Sequence, residues 1–358
     1  MSLNDMGWTP AHEFYFTELA RPLWCPCRVA RVARVDRGRA LVLTSAGEQP
    51  ATWRSTLTLM DTTPIDTPAT GDWCAASRHA GLVCIEMILP RASCIARGMS
   101  RGERAVQVLA ANVDVAFLVT GLDGDFSVRR IERYLVLIRS SGVRPVIILN
   151  KSDLCADAQA RTDAVRRIAT GVTVLMLSAL GDEVADVLDQ ELRYGQTAVF
   201  LGSSGVGKST LINRLLGSQS QATAPVRAND DCGRHTTTCR ELLVLPGGRS
   251  VIDTPGLRAV GLMGDDDGLD AVFSDIATVA ADCHFPDCRH EGEHGCAVLQ
   301  ALATGGILQD RLESYLRLRR ESESAALRED VYWHRRHERR TAGHHRQQLR
   351  ECYRLKGR

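Results

Sequence analysis

The sequence lacks the features that mark a secreted or membrane-spanning chain. Its first residues, MSLNDMGWTPAHEFYF, contain no basic segment followed by an apolar stretch, and no later run reaches the roughly 18 apolar residues that span a bilayer. The 12 cysteines are scattered through 358 residues, below the density of a disulfide scaffold. Secretion and membrane insertion are therefore not expected, and most thiols are predicted to be reduced, in a cytoplasmic protein.

A strong charge imbalance is also missing, since the formal net charge is only +1. The exception is local: residues 331–358 contain nine Lys and Arg but only two acidic residues, Glu338 and Glu351. The chain has 358 residues, of which 44% are hydrophobic, so it is long enough for two or three domains of roughly 100 to 150 residues.

The pattern along the chain predicts three units, residues 1–105, 106–257 and 258–358. Between residues 28 and 90, short alternating segments separated by DRGR, AGEQ and PATGD favour a small antiparallel barrel. From residue 113 onward, apolar strands alternate with helices, which predicts a parallel sheet covered on both faces. The last unit is predicted to be mainly helical, with a Cys/His cluster near its start.

The strongest motif is GSSGVGKST, which fits the phosphate-loop pattern between an apolar strand and a helix. Its glycines allow backbone N–H groups to surround phosphate oxygens, its lysine neutralises the β and γ charges, and its first hydroxyl can bind magnesium. A plain Gly/Ser turn before a helix would need no lysine there. The predicted nucleotide-binding residues are Gly202, Ser203, Ser204, Gly205, Val206, Gly207, Lys208, Ser209 and Thr210.

The segment NKSD, Asn150, Lys151, Ser152 and Asp153, predicts that the base is guanine. The Asp153 carboxylate can accept hydrogen bonds from guanine N1–H and its 2-amino group, which adenine cannot offer. Asn150 is expected near the N7 and O6 side of the purine, and the Lys151 stem over the ring. Alone, such a tetrapeptide after a strand is often only a turn.

Two further segments strengthen the guanine prediction. SAL follows the next strand, with Ser178 and with Ala179, whose backbone could contact guanine O6. DTPG follows a later strand: Asp253 would reach magnesium through a water, and the Gly256 N–H could meet the γ-phosphate.

These elements occur in an unusual order, with the base loop before the phosphate loop. Together with GDWCAAS, ILPRAS, QVLAANVDVAFLV, RRIERYL, GRHTTT and the Cys/His cluster, they resemble the ribosome-small-subunit-dependent GTPase A family over roughly residues 28–300. The resemblance implies an OB-like amino-terminal β-barrel, a circularly permuted α/β P-loop GTPase domain and a mainly α carboxyl-terminal zinc-binding domain. It also implies GTP or GDP with magnesium, and activity stimulated by the small ribosomal subunit.

The cluster CHFPDCRHEGEHGC predicts a structural zinc site. Three thiolates and one imidazole suit tetrahedral zinc and leave no position open for water. On spacing alone, His284 and His294 rival His290 as the fourth ligand, and the family resemblance favours His290. The predicted ligands are Cys283, Cys288, His290 and Cys296.

The catalytic step is marked by a missing residue. Many GTPases place a water-orienting Gln after DTPG, whereas this chain has Leu257, so slow intrinsic hydrolysis is expected. One of the three Thr residues at 236–238, with Thr237 as the chosen candidate, would close over magnesium. His235 could approach the attacking water, although a mobile surface histidine explains it as well. Lys208 completes the predicted catalytic set.

The flanking units predict contacts with RNA. The first strand and turn of the barrel could supply contacts to RNA phosphates, and so could the basic tail that contains Tyr332 and Trp333. Alternatively, each of these regions is only a solvated surface. The barrel candidates are Arg28, Arg31, Arg34, Arg37 and Arg39.

The function that fits these predictions is a monomeric GTPase that binds the 30S subunit and its rRNA during late assembly. Alternatives are a GTP-gated rRNA clamp in which hydrolysis only resets binding, and a P-loop ATPase or kinase, which Asp153 disfavours. The permuted order joins DTPG directly to the carboxyl-terminal unit, so residues 257–282 are expected to transmit the nucleotide state.

Overall fold

The computed structural model describes ten stretches of the chain. They are residues 2–20, 23, 26–36, 38–53, 67–79, 81–98, 106–217, 240–256, 261–262 and 266–327. None of the described helices is both long and apolar enough to cross a bilayer.

Five strands near the amino terminus form a closed barrel. They are β1 (Arg28–Asp36), β2 (Arg39–Thr44), β3 (Gly47–Trp53), β4 (Trp73–His79) and β5 (Leu82–Ile88). Strand β1 pairs with β2 and β4, β2 pairs with β3, and β5 pairs with β3 and β4, so the ring closes. Val32, Val42 and Ile85 fill the interior, where they are fully shielded from water. The predicted barrel is confirmed, but β3 and β5 pair in parallel, whereas a fully antiparallel barrel is predicted.

One loop of the barrel is shorter than predicted. The segment AGEQ, residues 46–49, is predicted to separate two strands, but β3 already begins at Gly47, which pairs with Thr44. Gly47 has a φ of 103°, a left-handed conformation that lets the chain reverse within a tight hairpin. Pairing across the hairpin therefore extends β3 into a segment whose composition is typical of a turn.

The barrel continues through a short hairpin into the central sheet. The hairpin consists of β6 (Cys94–Gly98) and β7 (Val106–Ala111). The central elements are β8 (Val115–Gly121), α2 (Val128–Ser140), β9 (Arg144–Asn150), α3 (Ala158–Ile168), β10 (Thr173–Met176), α4 (Val184–Glu191), β11 (Thr197–Leu201), α5 (Lys208–Leu216), β12 (Glu241–Leu245) and β13 (Arg249–Asp253).

The central sheet has the order β10-β9-β8-β11-β13-β12. Its first five strands are parallel, as the strand–helix alternation predicts, whereas β12 is antiparallel to β13. Along β8, Phe117 and Leu118 are both buried but belong to separate apolar clusters, because successive side chains point to opposite faces. Both faces of the sheet are therefore covered. The outer strand β12 also pairs with barrel strand β1 at Glu241 and Arg34.

The carboxyl-terminal unit is mainly helical where it is described, with a non-helical segment at residues 281–296. Its helices are α6 (Asp266–Val272), α7 (Ser274–Ala280), α8 (Ala297–Ala303) and α9 (309–327). Helix α9 docks on α2 through Glu132, which is only 2% exposed. Glu132 accepts a hydrogen bond from Arg311 Nη1 at 2.6 Å and another from the Ser314 hydroxyl. Burial lowers the pKa of Arg311, but hydrogen bonds to Asp275 and Glu132 outweigh it and raise that pKa.

The amino-terminal segment joins the barrel to the central sheet. It contains a 3-10 turn at Asn4–Met6 and helix α1 (Pro10–Ala20). Arg31 of β1 is 1% exposed and donates hydrogen bonds to the carbonyls of Met6, Gly71 (3.3 Å) and Asn112 (3.2 Å). Its guanidinium carbon also lies 5.0 Å from the Trp73 ring centroid.

Arg31 is therefore not available for RNA, and that sequence prediction is wrong for this residue. Arg31 and Arg34 belong to one series of arginines in β1. The sequence pattern alone does not show which of these side chains contacts another part of the chain. Arg28 and Arg39 are exposed, and Arg34 is half-exposed with Glu241 3.8 Å away. Arg37 lies outside the described residues.

Replacing Arg31 with Ala is expected to lower the free energy of unfolding by about 3 kcal/mol or more, because three carbonyls lose a charged donor inside the protein. Urea denaturation followed by tryptophan fluorescence measures the shift. The matched control, Arg28→Ala, removes an exposed arginine from the same strand and should change stability by less than about 0.5 kcal/mol. Equal effects of the two substitutions on stability would contradict a structural role for the hydrogen bonds of Arg31.

Candidate nucleotide pocket and metal centre

The predicted nucleotide-binding segments meet at one edge of the central sheet. The base loop follows β9, SAL follows β10, the phosphate loop follows β11 and DTPG follows β13. All four strands are parallel, so their carboxyl ends lie at the same edge, where open α/β sheets bind ligands. The structure thus brings these segments together despite their order in the chain.

The phosphate loop leads directly into helix α5. The Lys208 ammonium donates to the carbonyls of Gly202 at 3.0 Å and Ser203 at 2.7 Å, which holds the side chain over the loop. Burial lowers the pKa of Lys208 below its ordinary value, while the carboxylates of Asp253 and Asp125 act in the opposite direction. The start of α5 adds the positive end of its dipole, so the loop can bind an anionic phosphate.

Asn150 braces the phosphate loop against the SAL loop. Its side-chain N–H donates to the Val206 carbonyl at 2.7 Å, and its side-chain oxygen accepts from the Ala179 N–H at 2.8 Å. The residue is 1% exposed. The sequence predicts only a contact near the purine, whereas the structure gives Asn150 a role in holding the two loops in register.

Gly207 is a phosphate-loop position that cannot carry a larger residue without strain. Its φ is 101°, and a Cβ atom there would lie 2.3 Å from the Asn150 side-chain nitrogen. The loop therefore depends on glycine both for its conformation and for the close approach of Asn150.

The base loop leaves Asp153 open to solvent. Asp153 lies in a 3-10 turn, Ser152–Leu154, and is exposed. The Ser152 N–H is bound to the Leu177 carbonyl at 3.2 Å, which ties the base loop to the segment that carries Ser178. Arg214 of α5 donates to the carbonyls of Ala179 at 3.2 Å and Leu180 at 2.9 Å, so the SAL loop is held from the phosphate side as well.

The DTPG segment lies against the phosphate loop. The Thr254 hydroxyl donates to the Phe200 carbonyl at 2.6 Å, which fixes the end of β13 beside β11. A Cβ atom on Gly256 would be 2.5 Å from the backbone nitrogen of Ser204, so these two backbones are in close contact. Asp253 is thereby positioned on the same side as Lys208, whose charge it stabilises.

The residues present fit magnesium bound together with a nucleotide. Ser209 is exposed in the first turn of α5, and Asp253 ends β13 near Lys208. A hydroxyl and a carboxylate are oxygen donors of the kind that magnesium requires. His235, Thr237 and its neighbours at 236 and 238, and Leu257 lie outside the described residues.

Sequence reasoning missed one contact with the phosphate loop. Arg130 of α2 donates to the Ser203 hydroxyl at 3.0 Å and to the Asp125 carbonyl at 3.1 Å, and it pairs with the Asp125 carboxylate. RRIERYL contains Arg130 but fits no catalytic pattern, so only the three-dimensional proximity of α2 and the phosphate loop reveals this role.

The predicted metal ligands lie together in the carboxyl-terminal unit. The ligand atoms of Cys283, Cys288, His290 and Cys296 are all within 4.8 Å of one another. His290 Nδ1 lies 3.4 Å from the Cys296 sulfur and 3.7 Å from the Cys283 sulfur, and those sulfurs are 4.0 Å apart. Tetrahedral zinc sets such separations at about 3.6 Å for S to N and about 3.8 Å for S to S. The four residues therefore fit zinc.

Burial distinguishes His290 from the other two histidines of the loop around the cluster. His284 and His294 are exposed, whereas His290 is 4% exposed. Glu293 shapes this loop by accepting hydrogen bonds from the backbone N–H groups of residues 289, 291 and 292 at 2.7, 2.8 and 3.2 Å. The same N–H groups, with that of Arg289 foremost, lower the pKa of Glu293 to about 2.

Comparison with known families and proteins points in one direction. The RsgA GTPase family model matches residues 88–263. A protein of Opitutus terrae named small ribosomal subunit biogenesis GTPase RsgA is 46% identical over 343 residues, covering 92% of each chain. The proteins of the same name from Syntrophotalea carbinolica and Streptomyces coelicolor are 42% and 41% identical, covering 92% and 89% of their own lengths and 92% of this chain in each case.

Solved structures show a similar fold. The crystal structure of YjeQ from Thermotoga maritima aligns with a TM-score of 0.61 and 24% identity, covering 83% of this chain and 99% of that one. The structure of YloQ, described as a circularly permuted GTPase, aligns with a TM-score of 0.55 and 26% identity, covering 84% and 96%. The former likeness concerns the fold alone.

Replacing Gly207 with Ala is expected to weaken GDP binding by more than about 100-fold, because the new methyl group would clash with Asn150 and disfavour the required backbone conformation. Titration with a fluorescent GDP analogue measures the affinity. Gly81→Ala is the matched control: Gly81 has a φ of 86° but no atom within 4 Å of the added Cβ. Similar GDP affinities in both variants would refute the steric argument.

Replacing His290 with Ala is expected to weaken zinc binding by about 100-fold, since one of four ligands is lost. Chelator competition monitored by metal analysis measures the affinity of the purified chain. His284→Ala removes an exposed histidine from the same loop and should bind zinc like the unchanged chain. If His284→Ala loses the metal and His290→Ala keeps it, the ligand assignment is wrong.

Proposed function

The chain belongs to the RsgA GTPase family, and we propose that it hydrolyses GTP to GDP and phosphate while acting in late assembly of the small (30S) ribosomal subunit. The observation that carries this proposal is the assembly of a base loop, a phosphate loop and DTPG at one edge of the sheet in permuted order. Relatives at 41 to 46% identity that are named for small ribosomal subunit biogenesis support the biological context.

In this proposal the pocket separates recognition of the base from binding of the phosphates. The Asp153 carboxylate accepts hydrogen bonds from guanine, which excludes adenine because adenine has an acceptor at N1. The glycine-rich backbone and Lys208 bind the phosphates. Ser209 and Asp253 would hold magnesium, directly and through a water respectively; when bound, the ion neutralises charge that develops on the phosphate oxygens.

Hydrolysis is proposed to depend on a partner. Leu257 stands where many GTPases have Gln, and its side chain can neither orient nor polarise water. His235 would be brought to the attacking water, and Thr237 over magnesium, when the partner binds. The proposed partner is the 30S subunit, and the chain is proposed to act as a monomer in the cytoplasm.

Contacts with rRNA are proposed at both ends of the molecule. Arg28 and Arg39 are exposed on the barrel and can reach phosphates, and Arg34 can do so if it releases Glu241. The basic segment 331–358 supplies further cations. Domain limits of 1–105, 106–257 and 258–358 remain part of the proposal.

Zinc is proposed to stabilise the carboxyl-terminal unit without entering the chemistry. Cys283, Cys288, His290 and Cys296 would occupy all four tetrahedral positions and leave none for a reacting water. The ion would thereby fix the loop that precedes α8 against α9, where the His290 ring lies 6.2 Å from the Tyr315 ring.

Purified 30S subunits are expected to accelerate GTP hydrolysis by more than about tenfold, equivalent to a barrier lowered by about 1.4 kcal/mol. Phosphate release should be measured with and without 30S, using GTP and ATP in parallel; ATP should be a poor substrate in both cases. No acceleration by 30S would overturn the proposed partner. Release of bound 30S by a non-hydrolysable GTP analogue as readily as by GTP would favour the clamp alternative.

A further inference from the structure

We propose that Asp123, in the loop between β8 and α2, is a positioning residue for the guanine nucleotide and acts by holding Lys151 in place. This inference rests on the proposed function, because it assigns a role within the same pocket. The Lys151 ammonium lies 2.7 Å from Asp123 Oδ2. The sequence predicts that the Lys151 stem lies over the purine ring and assigns no role to Asp123.

The backbone geometry fixes where these two residues lie. Strands β8 and β9 are parallel, with Gly121 opposite Asn150. Beyond that pair, the Leu122 N–H donates to the Asn150 carbonyl at 2.8 Å, so the strands leave the sheet side by side. Asp123 comes directly after Leu122, and Lys151 comes directly after Asn150. Their contact is therefore set by the sheet register.

The Asp123 carboxylate is oriented by its own loop. Oδ1 accepts a hydrogen bond from the Asp125 N–H at 3.0 Å, an Asx turn that leaves Oδ2 for the lysine. A Cβ atom at Gly121 would lie 2.6 Å from Oδ1, so glycine at that position makes room for the carboxylate.

Arg161 of α3 fixes the same loop from outside. Its Nη1 donates to the carbonyls of Leu122 at 3.2 Å and Asp123 at 3.3 Å, and its guanidinium carbon lies 5.2 Å from the Phe126 ring centroid. Both loop ends are thus restrained before any ligand binds. A restrained carboxylate can orient a flexible lysine side chain, whereas a mobile one would move with it.

Lys151 itself needs support from its surroundings. It is one of the few described non-glycine residues with positive φ, at 64°, a conformation that surrounding contacts must stabilise. The ion pair is partly open to water, with side-chain exposures of 29% for Lys151 and 33% for Asp123, so its direct effect on folding stability is small. A hydrogen bond from Lys151 lowers the pKa of Asp123, in agreement with the ion pair between them.

The arrangement favours a role in binding over a role in stability. A lysine stem has many rotamers, and ordering it on ligand binding opposes affinity. By anchoring the ammonium, Asp123 restricts the stem before guanine arrives. This role predicts that removing the Asp123 carboxylate weakens nucleotide binding, and that the loss is the same with or without the guanine groups that bind Asp153.

The test is GDP affinity of the full-length chain, measured with a fluorescent GDP analogue. Asp123→Ala is expected to weaken binding by about three- to tenfold, the cost of ordering one long side chain. Asp123→Asn keeps the acceptor of the Asx turn but removes the charge, so it should show most of the same loss. At saturating GTP, kcat should stay within about twofold of the unchanged chain. The matched control is Asp163→Ala, which removes an exposed carboxylate from a surface pair with Arg166.

Two comparisons test the mechanism. IDP lacks the 2-amino group, so Asp123→Ala should weaken GDP and IDP binding by the same factor, whereas a change at Asp153 should alter their ratio. In a Lys151→Met background, Asp123→Ala should have no further effect on GDP affinity. An undiminished effect there would show that Asp123 does not act through Lys151.

Other outcomes overturn the proposal separately from the function. Tighter GDP binding by Asp123→Ala would mean that Asp123 withdraws Lys151 from the nucleotide. Unchanged binding by both Asp123 variants, with normal preference for GDP over ADP, would refute the positioning role and leave the GTPase assignment intact. If the unchanged chain binds GDP no more tightly than ADP, the proposed function itself is refuted.

Discussion

Parallel hydrogen bonding among β8, β9, β11 and β13 is the constraint on which the pocket depends. The pairs Gly121 with Asn150 and Val199 with Ile252 fix the strand ends at one edge, so the following loops meet regardless of their order in the sequence. A base loop that precedes the phosphate loop is therefore no obstacle to forming a nucleotide pocket. What circular permutation changes is which parts of the chain enter and leave the sheet.

The permutation places different units at the two sides of the pocket. On one side, β12 follows the segment that contains His235 and pairs with barrel strand β1 through Glu241 and Arg34. The Thr70 hydroxyl also lies 3.5 Å from the Arg240 carbonyl, at the point where that segment joins β12. The barrel thus contacts the end of the segment proposed to close over magnesium. On the other side, the chain leaves DTPG for the carboxyl-terminal unit with the Cys/His cluster.

Much of this architecture could be predicted from sequence, because it depends on local pattern. Apolar strands before GSSGVGKST and NKSD specify their places in a parallel sheet, and ligand spacing identifies the Cys/His cluster. Contacts between distant segments could not be predicted. Arg31 follows the same three-residue spacing as Arg28 and Arg34, yet it donates hydrogen bonds to three carbonyls of other segments. Arg130 likewise gains its role only because α2 packs beside the phosphate loop.

Helix α2 connects the phosphate loop with the carboxyl-terminal unit, in addition to the covalent link after DTPG. Arg130 contacts Ser203, whereas Glu132, two residues later, is buried against Arg311 and Ser314. Removing one partner from a buried ion pair costs about 3 to 5 kcal/mol, because the other charge is left uncompensated. Separation of α9 from α2 is therefore strongly opposed, and a movement of the carboxyl-terminal unit that keeps this pair must carry α2 with it. Such a movement would reach the phosphate loop at Ser203, so residues 257–282 are not the only physical connection between nucleotide and carboxyl-terminal unit.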